Sequence, residues 1–189
     1  MQGGWFSRMM TKMLKAGDIF AVAPPEGQGN FASNAIVSIT TKFEVDGKAR
    51  ASHAGIIIDD KGTTFEAVQP RYCMQNIWNA YRGCRLIIGR HIDMTPERFA
   101  MGWDAVRVLQ GMSYPEWRLL LFARAMWAAR RFHHVREVCS ENVFHFLSAA
   151  GCRKNLSGDL IDYWWGTYPA YIHDSIKDWD VIDCIYDSF

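Results

Sequence analysis

The sequence has no Cys-x-x-Cys pair, no excess of charge of one sign and no long uninterrupted apolar stretch. Its cysteines are odd in number and widely spaced: Cys73, Cys84, Cys139, Cys152 and Cys184. This usage indicates neither a disulfide framework nor a zinc ribbon. A zinc site that combines histidines and cysteines would use His133, Cys139, His145 and Cys152. Their spacing matches no standard zinc pattern, so we predict no metal site and no cofactor.

The charges are nearly balanced, with 21 Lys and Arg against 20 Asp and Glu and a formal net charge of +1. Such a chain has no overall field that would gather nucleic acid, so we expect no nucleic-acid partner. Arg or Lys interrupts each apolar run well before the ~18 residues that cross a bilayer. Residues 1–10 also lack the apolar stretch of about 7–15 residues that marks a secretory signal. We therefore expect a cytoplasmic protein without a transmembrane segment.

Apolar side chains are abundant. Hydrophobic residues make up 49% of the 189 residues and include 8 Trp, 7 Tyr and 11 Phe, which is enough to bury a core. The length favours one domain, because domains typically contain roughly 100–200 residues. No internal repeat divides the chain, and we predict a single domain over residues 1–189.

The hydrophobic pattern predicts strands first and helices afterwards. Strand-like runs cover residues 17–23, 52–58, 63–69, 85–91 and 181–186. Predicted helices cover residues 96–111, 115–132 and 139–151, with a helical turn from Pro169 and a weaker helix at 33–43. This order is typical of α+β folds, so we expect a mainly antiparallel β-sheet packed against helices.

The predicted helix at residues 115–132 is apolar most of the way round, with Arg118, Arg124, Arg130 and Arg131 interspersed. This pattern favours a helix buried between other elements. Its Arg and Trp content also leaves contact with a membrane surface open.

Cys139 is the cysteine with the most suggestive position, because it begins a predicted helix. At ~3.6 residues per turn it shares the apolar face with Val143, Phe146 and Leu147. Free N–H groups and the helix dipole stabilise a thiolate at such a position and favour a nucleophile. An inert buried cysteine is the alternative interpretation of the position alone.

His53 and Glu66 lie in the two strands of a predicted hairpin. A histidine that begins a strand is usually structural, whereas a strand glutamate needs a cationic or N–H partner when it is buried. If residues 60–61 are the two central residues of the loop, Gly55 faces Glu66, and His53 is its diagonal neighbour on the same face. A three-residue loop with a bulge would place them on opposite faces. The sequence leaves both registers open.

Cys139, His53 and Glu66 supply the three residue types of a nucleophilic triad: a thiolate, an imidazole that moves its proton, and an acid that orients the imidazole. Short motifs around them follow a fixed order: Gly17-Asp18-Ile19, Ser52-His53-Ala54-Gly55-Ile56, Phe65-Glu66-Ala67-Val68-Gln69-Pro70, Cys139-Ser140-Glu141-Asn142-Val143 and Pro169 to Ser175. In this order they resemble the circularly permuted papain-like hydrolases of the NlpC type, specifically the YiiX/YebB-like group. The resemblance spans about residues 15 to 176.

The resemblance implies a permuted papain-like fold with Cys139 as nucleophile, His53 as general base and acid, and Glu66 as the residue that orients His53. It implies an amidase or peptidase that acts on small peptides, such as cell-wall peptides, through a thioester. Tyr114 matches a family Gly-x-x-Tyr pattern and is expected to line the substrate pocket, although a core tyrosine is an equal alternative. The following Pro115-Glu116 replaces the commoner Tyr-Asp pair.

Two other functions stay open at this point. Permuted relatives in the resembled superfamily include lipid acyltransferases and thioesterases of the lecithin:retinol acyltransferase type, which also form a thioester. A non-catalytic module that holds a peptide or acyl chain in the same pocket is the second alternative.

Overall fold

The computed structural model describes residues 13–23, 51–114, 138–152, 169–177 and 179–185. The strands are β1 (Ile19–Ala23), β2 (His53–Ile57), β3 (Thr63–Ala67), β4 (Tyr72–Asn76), β5 (Arg85–Arg90) and β6 (Asp180–Ile185). The helices are α1 (Ile77–Ala80), α2 (Pro96–Val106), α3 (Cys139–Ala149) and α4 (Pro169–Lys177), with a 3-10 turn at Arg107–Leu109.

The six strands form one antiparallel sheet in the order β4-β3-β2-β1-β5-β6. The first of the described strands, β1, therefore lies inside the sheet between β2 and β5. Three consecutive strands, β2 to β4, form a meander on one side of it. The prediction of an α+β fold with a mainly antiparallel sheet is confirmed.

The sheet separates two apolar clusters, because successive side chains of a strand point to opposite faces. The larger cluster includes Ile19, Ala21, Ala54, Ile56, Phe65, Val143, Phe146, Leu147, Ile172 and Ile176. The smaller cluster contains Phe20, Val22, Ile57, Ile77, Leu86 and Ile88. Helix α3 packs on β2 and β3, α4 packs on β1 and β5, and α2 packs on α3. The larger cluster is thus the layer between the sheet and these helices.

Two glycines allow the helices to approach closely. A Cβ on Gly102 of α2 would lie 2.7 Å from the ring of Phe146 in α3. A Cβ on Gly89 of β5 would lie 2.5 Å from Cγ2 of Ile176 in α4. Side chains at these positions would force the packed elements apart.

A buried ion pair joins the start of β1 to the end of β5. Asp18 has no exposed surface, and its carboxylate accepts hydrogen bonds from Nε and Nη2 of Arg90 at 2.7 and 2.9 Å. Its Oδ2 also accepts from the Lys15 N–H at 2.8 Å. Burial raises the pKa of Asp18, and the Arg90 and Lys15 hydrogen bonds oppose that rise. The Gly17-Asp18 motif therefore has a structural role in this chain.

The described elements are often shorter than predicted, and two were not predicted. Strand β3 ends at Ala67 rather than at residue 69, since Pro70 has no N–H for a ladder. Helix α2 gives way to the 3-10 turn before Gly111, whose φ of +80° ends the helical path. Strand β4 and helix α1 were not predicted. The predictions at residues 33–43 and 115–132 lie outside the described residues.

Among the residues that the structure describes, no helix has both the length and the apolar character that a membrane span requires.

Candidate active site

The hairpin of β2 and β3 brings His53 and Glu66 together. Ile56 pairs with Phe65 and Ile57 with Thr64, and this register places Gly55 opposite Glu66. His53 and Glu66 therefore share a sheet face, as the two-residue loop register predicted. His53 Nε2 lies 2.8 Å from Glu66 Oε2.

Gly55 has no side chain and so leaves room for the Phe20 ring and the Glu66 side chain. A Cβ at Gly55 would lie 2.6 Å from the Phe20 ring and 2.9 Å from Cγ of Glu66. Any side chain at this position would have to displace both groups. The glycine between the two site residues is therefore required by packing.

The Glu66 carboxylate is completely buried, yet both of its oxygens have partners. The Thr64 hydroxyl donates to Oε1, and the Tyr81 hydroxyl donates to Oε2. Oε2 is also the oxygen that pairs with His53. A buried charge is tolerated when its acceptor capacity is used in this way.

Cys139 is the first residue of α3, and its side chain is 4% exposed. The preceding residue, Val138, has no side-chain oxygen with which to cap the helix. Its own N–H donates to Oε2 of Glu141 at 3.0 Å, which is half of a capping box. The first N–H groups of a helix have no intrahelical acceptor. The Cys139 N–H can therefore donate a hydrogen bond to a group that lies beside the thiol.

The thiol of Cys139 reaches the imidazole of His53. The charge of Cys139 and hydrogen bonding with its side chain both raise the pKa of His53. Nε2 of the same imidazole lies 2.8 Å from Glu66 Oε2. His53 and Cys139 are the first residues of β2 and α3, so the contact forms where the starts of these two elements meet.

The charge partners of His53 determine its protonation. Burial by itself lowers the pKa of His53, but Cys139 and then Glu66 outweigh it and raise the pKa from 6.5 to about 10. The imidazole is therefore protonated at neutral pH.

Aromatic rings enclose the imidazole. The ring centroids of Phe20 and Tyr81 lie 6.1 and 5.8 Å from that of His53, and they lie 5.4 Å from each other. His53 keeps 15% of its side chain exposed. The imidazole is thus held in place and still open to solvent on one side.

No histidine is among the hydrogen bonds and charges that shift the pKa values of Cys73, Cys84 and Cys152. Burial and then the Glu66 charge raise the pKa of Cys73, which lies opposite Glu66 in β4. Burial also raises the pKa of Cys84 and of Cys152. All three are free thiols, as is Cys139.

Tyr114 is buried, with 8% of its surface exposed, in the cluster that also contains Cys139. Its N–H donates to the Pro70 carbonyl at 2.8 Å. Its contact with substrate stays a prediction. Within the described ranges, no group of three His, Cys, Asp or Glu side chains is arranged to hold a metal ion.

Sequence reasoning missed Thr64 and Tyr81. Thr64 had a signal, because it lies two residues before Glu66 and so on the same face of the strand. Tyr81 had none, since it follows the two elements that were not predicted.

Taken together, the site places a thiol at a helix start, an imidazole that can accept and return its proton, and a buried carboxylate that fixes the imidazole. These are the parts required to activate a thiol for attack on a carbonyl carbon. No family model and no curated protein matches the chain when its sequence is compared with them.

Proposed function

We propose that this protein is a cysteine-dependent hydrolase of amides or esters in small peptide or acyl substrates. Cys139 is the nucleophile, His53 the general base and acid, and Glu66 the residue that orients His53. The observation that carries the proposal is the contact of the Cys139 thiol with an imidazole whose Nε2 lies 2.8 Å from a fully buried carboxylate.

In the first half of the reaction, the Cys139 thiolate attacks the substrate carbonyl carbon and forms a C–S bond. The negative charge that develops on the carbonyl oxygen is stabilised by the Cys139 N–H at the start of α3. The bond to the leaving nitrogen or oxygen then breaks, and the protonated His53 gives its proton to that atom. The product of this half is a thioester on Cys139.

In the second half, the neutral His53 takes a proton from a water molecule, and the resulting hydroxide attacks the thioester carbon. The C–S bond breaks, the carboxylic acid leaves, and the sulfur departs as the thiolate. The imidazole is again protonated, so the ion pair with which the cycle began is restored. Glu66 stays charged throughout and stabilises each imidazolium state.

The proposal extends to a permuted papain-like fold for the chain. What supports it is the order along the sequence: the histidine strand and the glutamate strand come first, and the cysteine helix follows. The antiparallel sheet with α3 packed on the two strands is compatible with that assignment.

The test is turnover of a panel of peptide amides, acyl esters and thioesters by the native chain and by Cys139→Ala. We expect the substitution to abolish turnover, with far-ultraviolet circular dichroism unchanged. A thioester on Cys139, detected by mass spectrometry after acid quench, is the expected intermediate. Turnover that survives Cys139→Ala would contradict the proposal.

The same panel separates the alternatives. Transfer of the acyl group to an added amine or lysolipid, in preference to water, would indicate an acyltransferase. Saturable binding of a peptide or acyl chain without an adduct on Cys139 would indicate a binding module.

A further inference from the structure

The Tyr81 hydroxyl is a partner of Glu66 that none of the sequence motifs explains. It donates to Oε2, the oxygen that also lies 2.8 Å from Nε2 of His53. Thr64 donates to the other oxygen, Oε1. Tyr81 therefore competes directly with the imidazole for the charge on a single carboxylate oxygen.

The Tyr81 side chain is held by more than this hydrogen bond. Its ring lies 5.8 Å from the His53 ring, with an interplanar angle of 30°, and packs against Phe20 on another side. Its N–H donates to the Ile77 carbonyl at 3.1 Å, and its carbonyl accepts from the Cys84 N–H at 3.0 Å. The hydroxyl is thus directed at Oε2 by the backbone that ends α1 and by ring packing.

The phenol stays a neutral donor. Burial, together with the adjacent Glu66 carboxylate, raises the pKa of Tyr81 above its ordinary value. A hydroxyl that donates to a carboxylate oxygen stabilises the charge locally. It thereby weakens the attraction of that oxygen for a second hydrogen-bond partner. The second partner here is the protonated imidazole of His53.

We propose that Tyr81 is a positioning residue: by sharing Oε2 with His53 it fixes the orientation of the Glu66 carboxylate and limits how tightly the imidazole holds its proton. This inference rests on the proposed function, in which His53 must both accept a proton and release it. A base that binds its proton too tightly is a poor acid for the leaving group. Tyr81 thus keeps His53 able both to accept a proton and to release it.

The test is an NMR titration of the His53 imidazole in the Cys139→Ala chain, where the thiolate no longer contributes and Glu66 is the remaining charge partner. Adding Tyr81→Phe keeps the ring and removes only the hydroxyl. We expect the imidazole pKa to rise by about 0.5 to 1 unit, because the full charge of Oε2 then faces Nε2. An unchanged or lowered pKa would overturn the proposal.

Tyr72 offers a matched control. It is a fully buried tyrosine of the same sheet, but it belongs to the cluster on the helix side and stacks on Phe65 at 6.4 Å. Tyr72→Phe removes a hydroxyl of the same kind and is expected to leave the His53 titration unchanged. An equal rise in both variants would assign the effect to general loosening of the sheet and overturn the proposal.

A second measurement needs no substitution at Tyr81. In the native chain, a hydroxyl proton bonded to a buried carboxylate exchanges slowly, and we expect a downfield resonance with a nuclear Overhauser contact to the His53 ring. The absence of that resonance overturns the proposal even if Tyr81→Phe does not fold. Failure of the proposed function is seen separately, as turnover that survives Cys139→Ala.

Discussion

At the scale of single residues, Glu66 is central to the site, and burial of its carboxylate is unfavourable in free energy. A carboxylate without exposed surface destabilises a fold unless its partners replace the water it has lost. Thr64, Tyr81 and His53 provide those partners. These partners hold the Glu66 charge beside the imidazole, where it adds to the effect of Cys139 in raising the pKa of His53.

The pH dependence of activity follows from that charge. The pKa of His53 is raised to about 10, so the proton that the leaving group needs is present at neutral pH and lost as the pH rises through that value. We expect the alkaline limb of kcat/KM near that pH in the native chain. In Glu66→Gln the limb should move to lower pH by about 1 to 3 units, since the opposite charge is gone.

Asp59→Asn is the control for this profile, because it makes the same change in the loop of the same hairpin. In the native chain, Oδ1 of Asp59 accepts hydrogen bonds from the N–H groups of Lys61 and Thr63 at 2.9 and 2.8 Å. The amide oxygen of asparagine can accept the same bonds. The alkaline limb of this variant should match that of the native chain. A limb that stays in place in Glu66→Gln would show that Glu66 does not set the protonation of His53.

At the scale of elements, the site depends on how closely β1 and the hairpin pack. Phe20 of β1 occupies the space beside Gly55 and also packs against the rings of His53 and Tyr81. The strand ladder and the site geometry are therefore set by the same contacts.

Gly55→Ala is expected to damage stability and activity together. Its Cβ would overlap the Phe20 ring and Cγ of Glu66, and overpacking of this kind typically costs about 1–3 kcal/mol. Because Glu66 is one of the two groups that must move, we also expect kcat/KM to fall by roughly tenfold or more, since displacement of a positioned group slows catalysis. Urea denaturation and steady-state kinetics measure the two effects.

Gly89→Ala separates the two effects. Its Cβ would meet Ile176 in α4 at 2.5 Å, so the clash is similar but involves no site residue. We expect a comparable loss in the free energy of unfolding with kcat/KM retained under conditions where the chain is folded. If both variants lose activity equally, Gly55 has no special relation to the site.

Most elements that hold the triad could be predicted from sequence, because each has a local signal. The Pro96 and Pro169 helix starts, the two β-rich runs of the hairpin and the helix at Cys139 all appear in the structure. Strand β4 could not be predicted, because Tyr72–Asn76 contains Cys, Met, Gln and Asn, which have little β-propensity. Its pairing with β3 is a tertiary effect.

The site was predictable to the same extent and for the same reason. The residue types of the triad stand in recognisable motifs, whereas the register that places His53 and Glu66 on one face depends on loop geometry that composition does not fix. Tyr81 reaches Glu66 only because β4 and α1 carry the chain back to the hairpin. No local sequence pattern predicts this course of the chain.

At the scale of the whole molecule, the described thiols differ in their surroundings, because Cys139 interacts with an imidazole. At pH 6 an unperturbed thiol, with a pKa of about 8.5, is almost wholly protonated. Cys139 interacts with the charged imidazole of His53, whereas burial raises the pKa of Cys73, Cys84 and Cys152. We expect iodoacetamide to label Cys139 fastest at this pH, as read by peptide mass spectrometry.

The same labelling in His53→Ala should abolish the preference for Cys139, while the other thiols keep their rates. Labelling after denaturation shows that every cysteine peptide is detectable. Equal rates for Cys139 and Cys73 in the folded native chain would mean that the free protein holds no activated thiolate.

The split of the site between a hairpin and a distant helix has a consequence for how the chain folds. His53 and Glu66 are 13 residues apart, so their pair closes with a short loop, whereas Cys139 joins them only when α3 docks on the sheet. Long-range contacts of this kind form late, since their loop-closure entropy is larger. During synthesis, His53 and Glu66 leave the ribosome well before Cys139. We expect pulsed alkylation during refolding to find Cys73, which pairs with Glu66 of the hairpin, protected first and the fast labelling of Cys139 last, so that this thiol gains its imidazole partner only when the molecule around it is complete.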